Sequence, residues 1–587
     1  MIKDCLRVFK KELGKKGDAL VLDNYVPKDG TYILITIKSD TFVIGEAVKI
    51  FYDRKNNVLE GESNIHYKDL QKLDYYSKLV EMNKPIDSKK IIHSNNYLSF
   101  FVKKESLVTK KLTLDIMASY YEILKSPFLK YNKKAKTKEI YQHIENEIGQ
   151  PDIVLIERIK KWMEEEFFDL DIDMTAKDYL KIFFVLEEKE KTRELYQKEG
   201  RRYLLPNIYN NNDFNIIIDG KIHGVPNDNM GMNTKKTYLE HKNRKIKEPY
   251  FLDLEEVLLQ GKFFDYLMGK ASIGYVNVYI DTVEDKIIFL KANELSRSFK
   301  NGIFIRIKKG TEVEIHNFDI IAGYEYNLEP TFKLKEIIKI PDKEMNRFKE
   351  GYFKKTNLEE LQCLVDEVFF GKMLSSNYFT DSGKISINDS VLKFNLLLAR
   401  EKLFNWFYKG NKVGIDVLLR NVSLELIKNT IENEYYVKAM HQVNLRLSLI
   451  DYFDENSRME EIMIDTRNSL RIHLDCQEDW KFESEREYYY AMGQLIAYYV
   501  SKINSQNKPQ SLLNPFLTAK SNDVMKRRLR NLHKKVNHAF DSSGLRVNKL
   551  IEKVMEYCPN HATVDQDILI AAYVASPLIY QKKEEEC

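Results

Sequence analysis

The hydrophobic periodicity of this chain changes once, near Lys343, and that change restricts the fold more than any single motif does. Upstream of it, short runs rich in β-branched and aromatic residues alternate with helical stretches. Residues 19–22, 31–37 and 47–53 are expected strands, and Pro27-Lys28-Asp29-Gly30 is a turn signal between two of them. Residues 275–280, 286–290, 302–308 and 311–315 form a second strand set. Helices are expected at the N-terminus (Ile2, Leu6, Phe9 and Leu13 share a face), over 67–81, and throughout 111–200. Residues 201–247 read as loop. Beyond Lys343, apolar residues recur at three- and four-residue steps as far as Tyr580. The expected class is α+β: a mixed α/β N-terminal portion followed by an all-α C-terminal helical bundle. A chain of 587 residues exceeds one core, so three segments are expected. They are a mixed α/β domain at 1–345, a helical connecting region at 346–470 and a C-terminal helical bundle at 471–587.

Lys and Arg number 92 against 88 Asp and Glu, so no polyanionic partner follows from net charge and any such partner must be argued from local clusters. The five cysteines are scattered without a CxxC pair, which argues against a zinc ribbon or finger. The first residues lack a signal peptide's apolar run, and no stretch of about 18 uncharged apolar residues is present. A reduced, cytoplasmic chain with no membrane span, no metal and no other cofactor is expected.

The densest cluster lies between Lys520 and His538. Met525, Leu529, Leu532, Val536 and Ala539 repeat at helical spacing, while Lys520, Lys526, Arg527, Arg528, Arg530, Lys534 and Lys535 face a single acid, Asp523. A helix that buries one stripe and turns such charge to solvent suits a polyanion. The competing reading is a solvated face on an ordinary bundle helix. A Tyr-rich helix (Tyr488, Tyr489, Tyr490, Gly493, Gln494, Leu495, Tyr498, Tyr499) precedes it.

A second cluster spans 221–247. Asn227, Asn229, Asn233, Lys235, Lys236, His241, Lys242, Asn243, Arg244 and Lys245 combine amides with cations, a mixture suited to base edges and phosphates, the competing reading being a disordered surface loop. Gly224, Pro226 and Gly231 are expected to keep the backbone close to a ligand. Arg201-Arg202-Tyr203 and Asn207 to Asn212 either line the same groove or, the favoured reading, form an ordinary helix end and turn. A third segment carries Lys89, Lys90, His93, Asn95, Asn96 and Tyr97, then Phe100, Phe101, Lys103 and Lys104. It reads either as a stacking platform for single-stranded nucleic acid or as a buried strand with lysines reaching out at its ends.

Enzyme motifs are scarce. The sequence holds no GxxxxGK[ST], GxSxG or HExxH. Asp169, Asp171 and Asp173 offer carboxylates to a divalent metal, but alternating acids also describe a solvated strand or loop. Arg467-Asn468 followed by His473 is similar to the signature of HEPN ribonucleases, and makes an RNA-cleaving enzyme one alternative. A structural interaction protein without nucleic-acid binding is the other.

Several stretches together resemble the large subunit of type I-B CRISPR interference complexes (Cascade). At the front these are Ile2-Lys3-Asp4-Cys5, Tyr25-Val26-Pro27-Lys28-Asp29-Gly30-Thr31-Tyr32, and Asp74-Tyr75-Tyr76-Ser77 through Asn83-Lys84-Pro85 to His93-Ser94-Asn95-Asn96-Tyr97. In the middle is Met232-Asn233-Thr234-Lys235-Lys236-Thr237-Tyr238-Leu239-Glu240-His241. Near the end are Tyr489-Tyr490-Ala491-Met492-Gly493-Gln494-Leu495 and the basic helix. The resemblance implies a non-catalytic subunit that contacts the guide CRISPR RNA, recognises the PAM on target double-stranded DNA, assists duplex opening and stabilises the R-loop and displaced strand. Its partners would be the backbone, guide 5′-end-binding and small subunits of Cascade, and a helicase–nuclease. On that basis the 227–245 residues would touch PAM duplex, 520–535 a strand backbone, and 89–97 guide RNA or a single strand. The last segment would be similar to a Cascade small subunit, also made from an internal start at Met440 or Met459.

Overall fold

The computed structural model describes residues 2–39, 41–53, 58–77, 86–209, 211–226, 251–310, 312–345, 353–454, 456–476, 478–503, 514–536, 545–561 and 563–581. The chain is α+β, with its sheets in the N-terminal half and helices in the C-terminal half. It divides into two compact units: Met1–Phe289 with Ile305–Asp319, and Leu290–Phe304 with Ile320–Cys587.

The first unit is built on a six-stranded sheet. Its strands are Gly30–Ile37 (β1), Phe42–Ile44 (β2), Val48–Asp53 (β3), Val58–Glu60 (β4), Ser99–Lys103 (β5) and Tyr179–Leu186 (β6). The order is β4-β3-β1-β6-β5, with β2 also on β1. β1 and β6 run parallel in unbroken register from Gly30↔Tyr179 to Ile37↔Leu186, and β5 lies antiparallel to β6. Both central strands are apolar nearly throughout because both faces are covered. β6 falls inside the stretch 111–200 expected to be helical. An apolar run such as Ile182-Phe183-Phe184-Val185-Leu186 fits a buried helix turn as well as a buried strand, and only pairing with β1 decides it. The converse happens at Ala19–Leu22, an expected strand that forms a helical turn with Leu20, Val21 and Leu22 buried.

Helices Leu114–Lys125 and Ile153–Glu166 pack together in this unit. Each starts where its sequence supplies a cap: Thr113 accepts from the Ile116 amide and Asp152 from that of Leu155. Tyr32, Phe100, Tyr121, Trp162, Phe183 and Phe184 are among the side chains filling the core. A buried cation sits within it: Lys181 ion-pairs with Asp74, and its ammonium lies 4.8 Å from the Phe101 ring centroid and 5.0 Å from that of Tyr32. Tyr25 Oη donates to the second Asp74 oxygen (2.9 Å), so the carboxylate is satisfied from both sides.

Residues 201–224 depart from the expected loop. Helix Lys189–Leu204 continues through Arg202, and Ile216–Ile218 (β7) and Lys221–Gly224 (β8) form a hairpin extended by Leu252–Asp253 (β9). Asn277–Asp281 (β10), Lys286–Leu290 (β11), Gly302–Lys309 (β12) and Val313–Ile321 (β13) form the sheet β11-β10-β12-β13, matching the second expected strand set. Asn327–Lys333 (β14) pairs with Lys354–Asn357 (β15), a strand beyond the expected limit near Lys343.

From Leu358 onward the second unit is helical. Residues of the expected connecting region and of the expected C-terminal bundle share one core, in which Ile427, Val443, Leu447 and Leu470 join Tyr488, Leu495 and Leu569. Helix Glu485–Ser501 is buried along almost all its length and packs closely on helix Gln566–Val574. At the crossing, a Cβ on Gly493 would lie 2.8 Å from Ala572 Cβ, so only glycine permits this approach. Gln494 then joins two chain segments: its Nε2 donates to the Ala572 carbonyl (2.6 Å) and its Oε1 accepts from the Leu578 amide (2.8 Å). No helix among the described residues is long and apolar enough to cross a membrane.

Candidate nucleic-acid interface

Helix Asn522–Val536 buries Met525, Leu529 and Leu532 and is fastened on one flank by polar contacts. Tyr488 Oη donates to Asn522 Oδ1, and Tyr499 Oη pairs with His533 Nδ1 at 2.9 Å. Lys526 lies on the same flank and corrects the sequence expectation. It is 8 % exposed, and its ammonium donates to the carbonyls of Met555 (3.0 Å) and Tyr557, at the C-terminal end of helix Leu545–Glu556. Desolvation lowers its pKa. The cation satisfies carbonyls that a helix terminus leaves open, so it is unavailable to a strand outside.

The other cations of this helix point away from the core. At 100° per residue, Arg527, Arg528, Arg530, Lys534 and Lys535 fall within an arc of about 160° opposite the apolar stripe. Arg527, Arg530, Lys534 and Lys535 are exposed, as is Lys520 just before the helix, while Arg528 is half-buried with one terminal nitrogen buried and unpartnered. No carboxylate among the described residues forms an ion pair with any of the six. Several cations elsewhere in the chain are compensated. Arg7 pairs with Asp285, Lys125 with Glu122 and Glu157, Lys335 with Asp451 and Glu460, and Lys553 with Asp479. Eight residue steps separate Arg527 from Lys535, about 12 Å of helix. The result is a short, dense positive surface that carries one acid, Asp523, and forms no ion pair among the described residues, on a helix fastened by its other side.

The second cluster is placed only in part. Asn227, Asn229, Asn233, Lys235, Lys236, His241, Lys242, Asn243, Arg244 and Lys245 lie outside the described residues, as does Gly231. Lys221 is on β8, 3.7 Å from Asp253. Gly224 does not make room for a ligand: a Cβ there would lie 2.6 Å from the chain's own Tyr209 ring. The upstream arginines are neutralised internally. Arg201 pairs with Glu147 and Glu255, and Arg202, fully buried, makes two bonds to Glu199.

The third segment is a buried strand and its approach, not a stacking platform. Tyr97 and Phe100 are fully buried, and Phe101, His93, Asn95 and Asn96 nearly so. Asn95 Oδ1 accepts from the Ile86 amide and Asn96 Oδ1 from that of Leu98, so both amides hold the chain's own backbone. Of the expected contact residues here, Lys89 and Lys90 are exposed, as is Lys103, while Lys104 is buried against Asp178 (2.8 Å).

Neither catalytic alternative is assembled. Asp173 accepts from the amide and hydroxyl of Thr175, and no group of three metal-ligating side chains occurs among the described residues. Arg467 and His473 share helix Met459–Asp475 but diverge. Arg467 donates to Ser576 Oγ (2.9 Å), whereas His473 stacks on Trp480 (4.8 Å between centroids) and meets the buried Glu487 at 2.5 Å.

No family model matches this chain, and neither a curated protein nor a solved structure matches it.

Proposed function

We propose that this chain is a non-catalytic, nucleic-acid-gripping subunit of an RNA-guided DNA surveillance assembly, the large subunit of a type I-B CRISPR interference complex. The observation that carries the reading is the cationic arc of helix Asn522–Val536, whose cations form no ion pair among the described residues. A surface of that kind binds phosphates without regard to sequence. In this role pairing between guide RNA and target strand reads the sequence. The subunit recognises the PAM, helps open the duplex and holds the displaced strand, and a separate helicase–nuclease cuts. The backbone, guide 5′-end-binding and small subunits complete the cytoplasmic assembly. If a shorter product is also made from an internal start, Met459 suits it better than Met440. Met459 opens helix Met459–Asp475, whereas a start at Met440 would cut into helix Tyr436–Phe453.

If about five phosphates are neutralised, log K falls against log salt with a slope near −4, roughly 300-fold between 50 and 200 mM. The test replaces Arg527, Arg530, Lys534 and Lys535 by Gln in the assembled complex and follows plasmid interference and DNA binding against salt. Assembly is expected to survive while interference is lost and the slope shrinks by about 3. Unchanged binding and interference would refute the reading. Metal-independent RNA cleavage by the purified chain, abolished by His473→Ala, would replace it with the ribonuclease reading.

A further inference from the structure

At one end of the first unit's central sheet, strand register gathers cations that are far apart in sequence. Gly30, Tyr179 and Lys103 stand side by side on β1, β6 and β5, and Lys28 is two residues upstream of Gly30, with Asp29 between them. On the far side of β5, Ile92 bridges to Val102, so the loop 87–92 delivers Lys89 to the same end. With strands about 4.8 Å apart, these elements span roughly 15 Å.

This end is built rather than loose. Asp87 accepts from the amides of Lys89 (2.9 Å), Ile91 (2.7 Å) and Ile92 (3.0 Å). Lys90 adopts φ = 59°, a left-handed conformation that costs a non-glycine residue about 1 kcal/mol. His93 holds it there. A carbonyl only accepts, so Nε2 donates to the Lys90 oxygen (3.0 Å) and Nδ1 accepts from Tyr179 Oη (3.0 Å). Burial lowers the His93 pKa, and the neighbouring charges of Lys103 and Lys28 add to the effect. The imidazole is therefore a neutral brace, with both nitrogens in use.

The nearby acids are already engaged. Asp87 is taken up by backbone amides, Asp29 accepts from the Tyr52 amide (2.9 Å), and Asp178 pairs with Lys104 (2.8 Å). Lys28, Lys89 and Lys103 are exposed, and none of the three forms an ion pair among the described residues. Tyr97, Phe100 and Phe101 are buried, so these three rings do not stack on a base.

We infer that Lys28, Lys89 and Lys103 form a second phosphate-binding position, which takes the phosphodiester backbone of a nucleic-acid strand without reading its bases. It stands on the geometry of the first unit alone and does not require the helix of the second.

The test uses the full chain and two labelled probes, a single-stranded oligouridylate RNA and a DNA duplex, each titrated between about 50 and 200 mM salt. Lys28→Gln/Lys89→Gln/Lys103→Gln is expected to reduce the slope by about 2 on the probe that this position serves, at about 0.7 per single-strand phosphate. The matching triple Lys→Arg variant is expected to retain the slope, which separates lost charge from lost structure. A loss on RNA alone identifies a guide-like strand as the ligand, and a loss on duplex alone identifies target DNA. Unchanged slopes on both probes overturn the inference. Should Arg527→Gln/Arg530→Gln/Lys534→Gln weaken binding while the sheet-end variant does not, this position falls and the helix reading stands. The reverse result removes the helix and keeps the sheet end.

Discussion

Replacing Lys526 by Met is expected to weaken the helical unit without altering the salt dependence of nucleic-acid binding, although Lys526 sits within a run of phosphate-binding candidates. Its ammonium makes charge-assisted hydrogen bonds to the carbonyls of Met555 and Tyr557, and bonds of that type contribute about 1.5–3 kcal/mol each. Burying the ammonium opposes this, which is why its pKa is lowered, so the net loss expected is about 2 kcal/mol. For a unit of this size that amounts to a fall of several degrees in the melting transition of the second unit. The neighbouring cations should behave in the opposite way. Arg527→Gln, Arg530→Gln, Lys534→Gln and Lys535→Gln alter exposed side chains that form no ion pair among the described residues, so melting should hold while each removes about 0.7–0.9 from the salt slope. Calorimetry or circular dichroism melting, paired with binding titrations at several salt concentrations, reads both quantities on one set of variants. A Lys526→Met protein with wild-type melting and a slope reduced by about 0.8 would refute the reasoning, because its ammonium would then be reaching a phosphate.

Three further outcomes follow from particular contacts. Gly493→Ala should destabilise the second unit by about 1–3 kcal/mol, since the new methyl would meet Ala572 and the backbone of helix Gln566–Val574; hydrogen exchange of that helix measures it. His473→Ala should cost about 1–3 kcal/mol by removing the partner of one oxygen of the buried Glu487 carboxylate, whose other oxygen accepts from the Glu483 amide, with no change in RNA cleavage, as read by denaturation and a nuclease assay. Burial pushes the Lys130 pKa down to about 8. Between that value and the unfolded lysine pKa of about 10.4, the unfolded chain binds more protons than the folded one, so this group makes the first unit more stable as pH rises through that window. Lys130→Met should flatten the rise in urea denaturation series.

The local features of the candidate interface were legible because they depend on near neighbours in sequence. The apolar stripe of Met525, Leu529 and Leu532 and the charge opposite it follow from helical spacing alone, as does the helical character of the chain after Leu358. What spacing could not reveal was which cations a distant segment would claim. Lys526 is taken by helix Leu545–Glu556, Arg202 by the Gly149 carbonyl in addition to its helix neighbour Glu199, and Lys181 by Asp74.

By itself, the sequence determined the α+β class, the strand set at 275–315, the helical character after Leu358 and the concentration of positive charge in a few stretches, since periodicity and charge are properties of short windows. The tertiary structure alone decided that β6 is a strand beside β1, that Tyr97 and Asn96 are buried, and that Lys28, Lys89 and Lys103 meet at one sheet end. Those outcomes depend on pairing and burial between residues many positions apart. An apolar or basic run therefore takes its final role from the neighbour that folding brings to it.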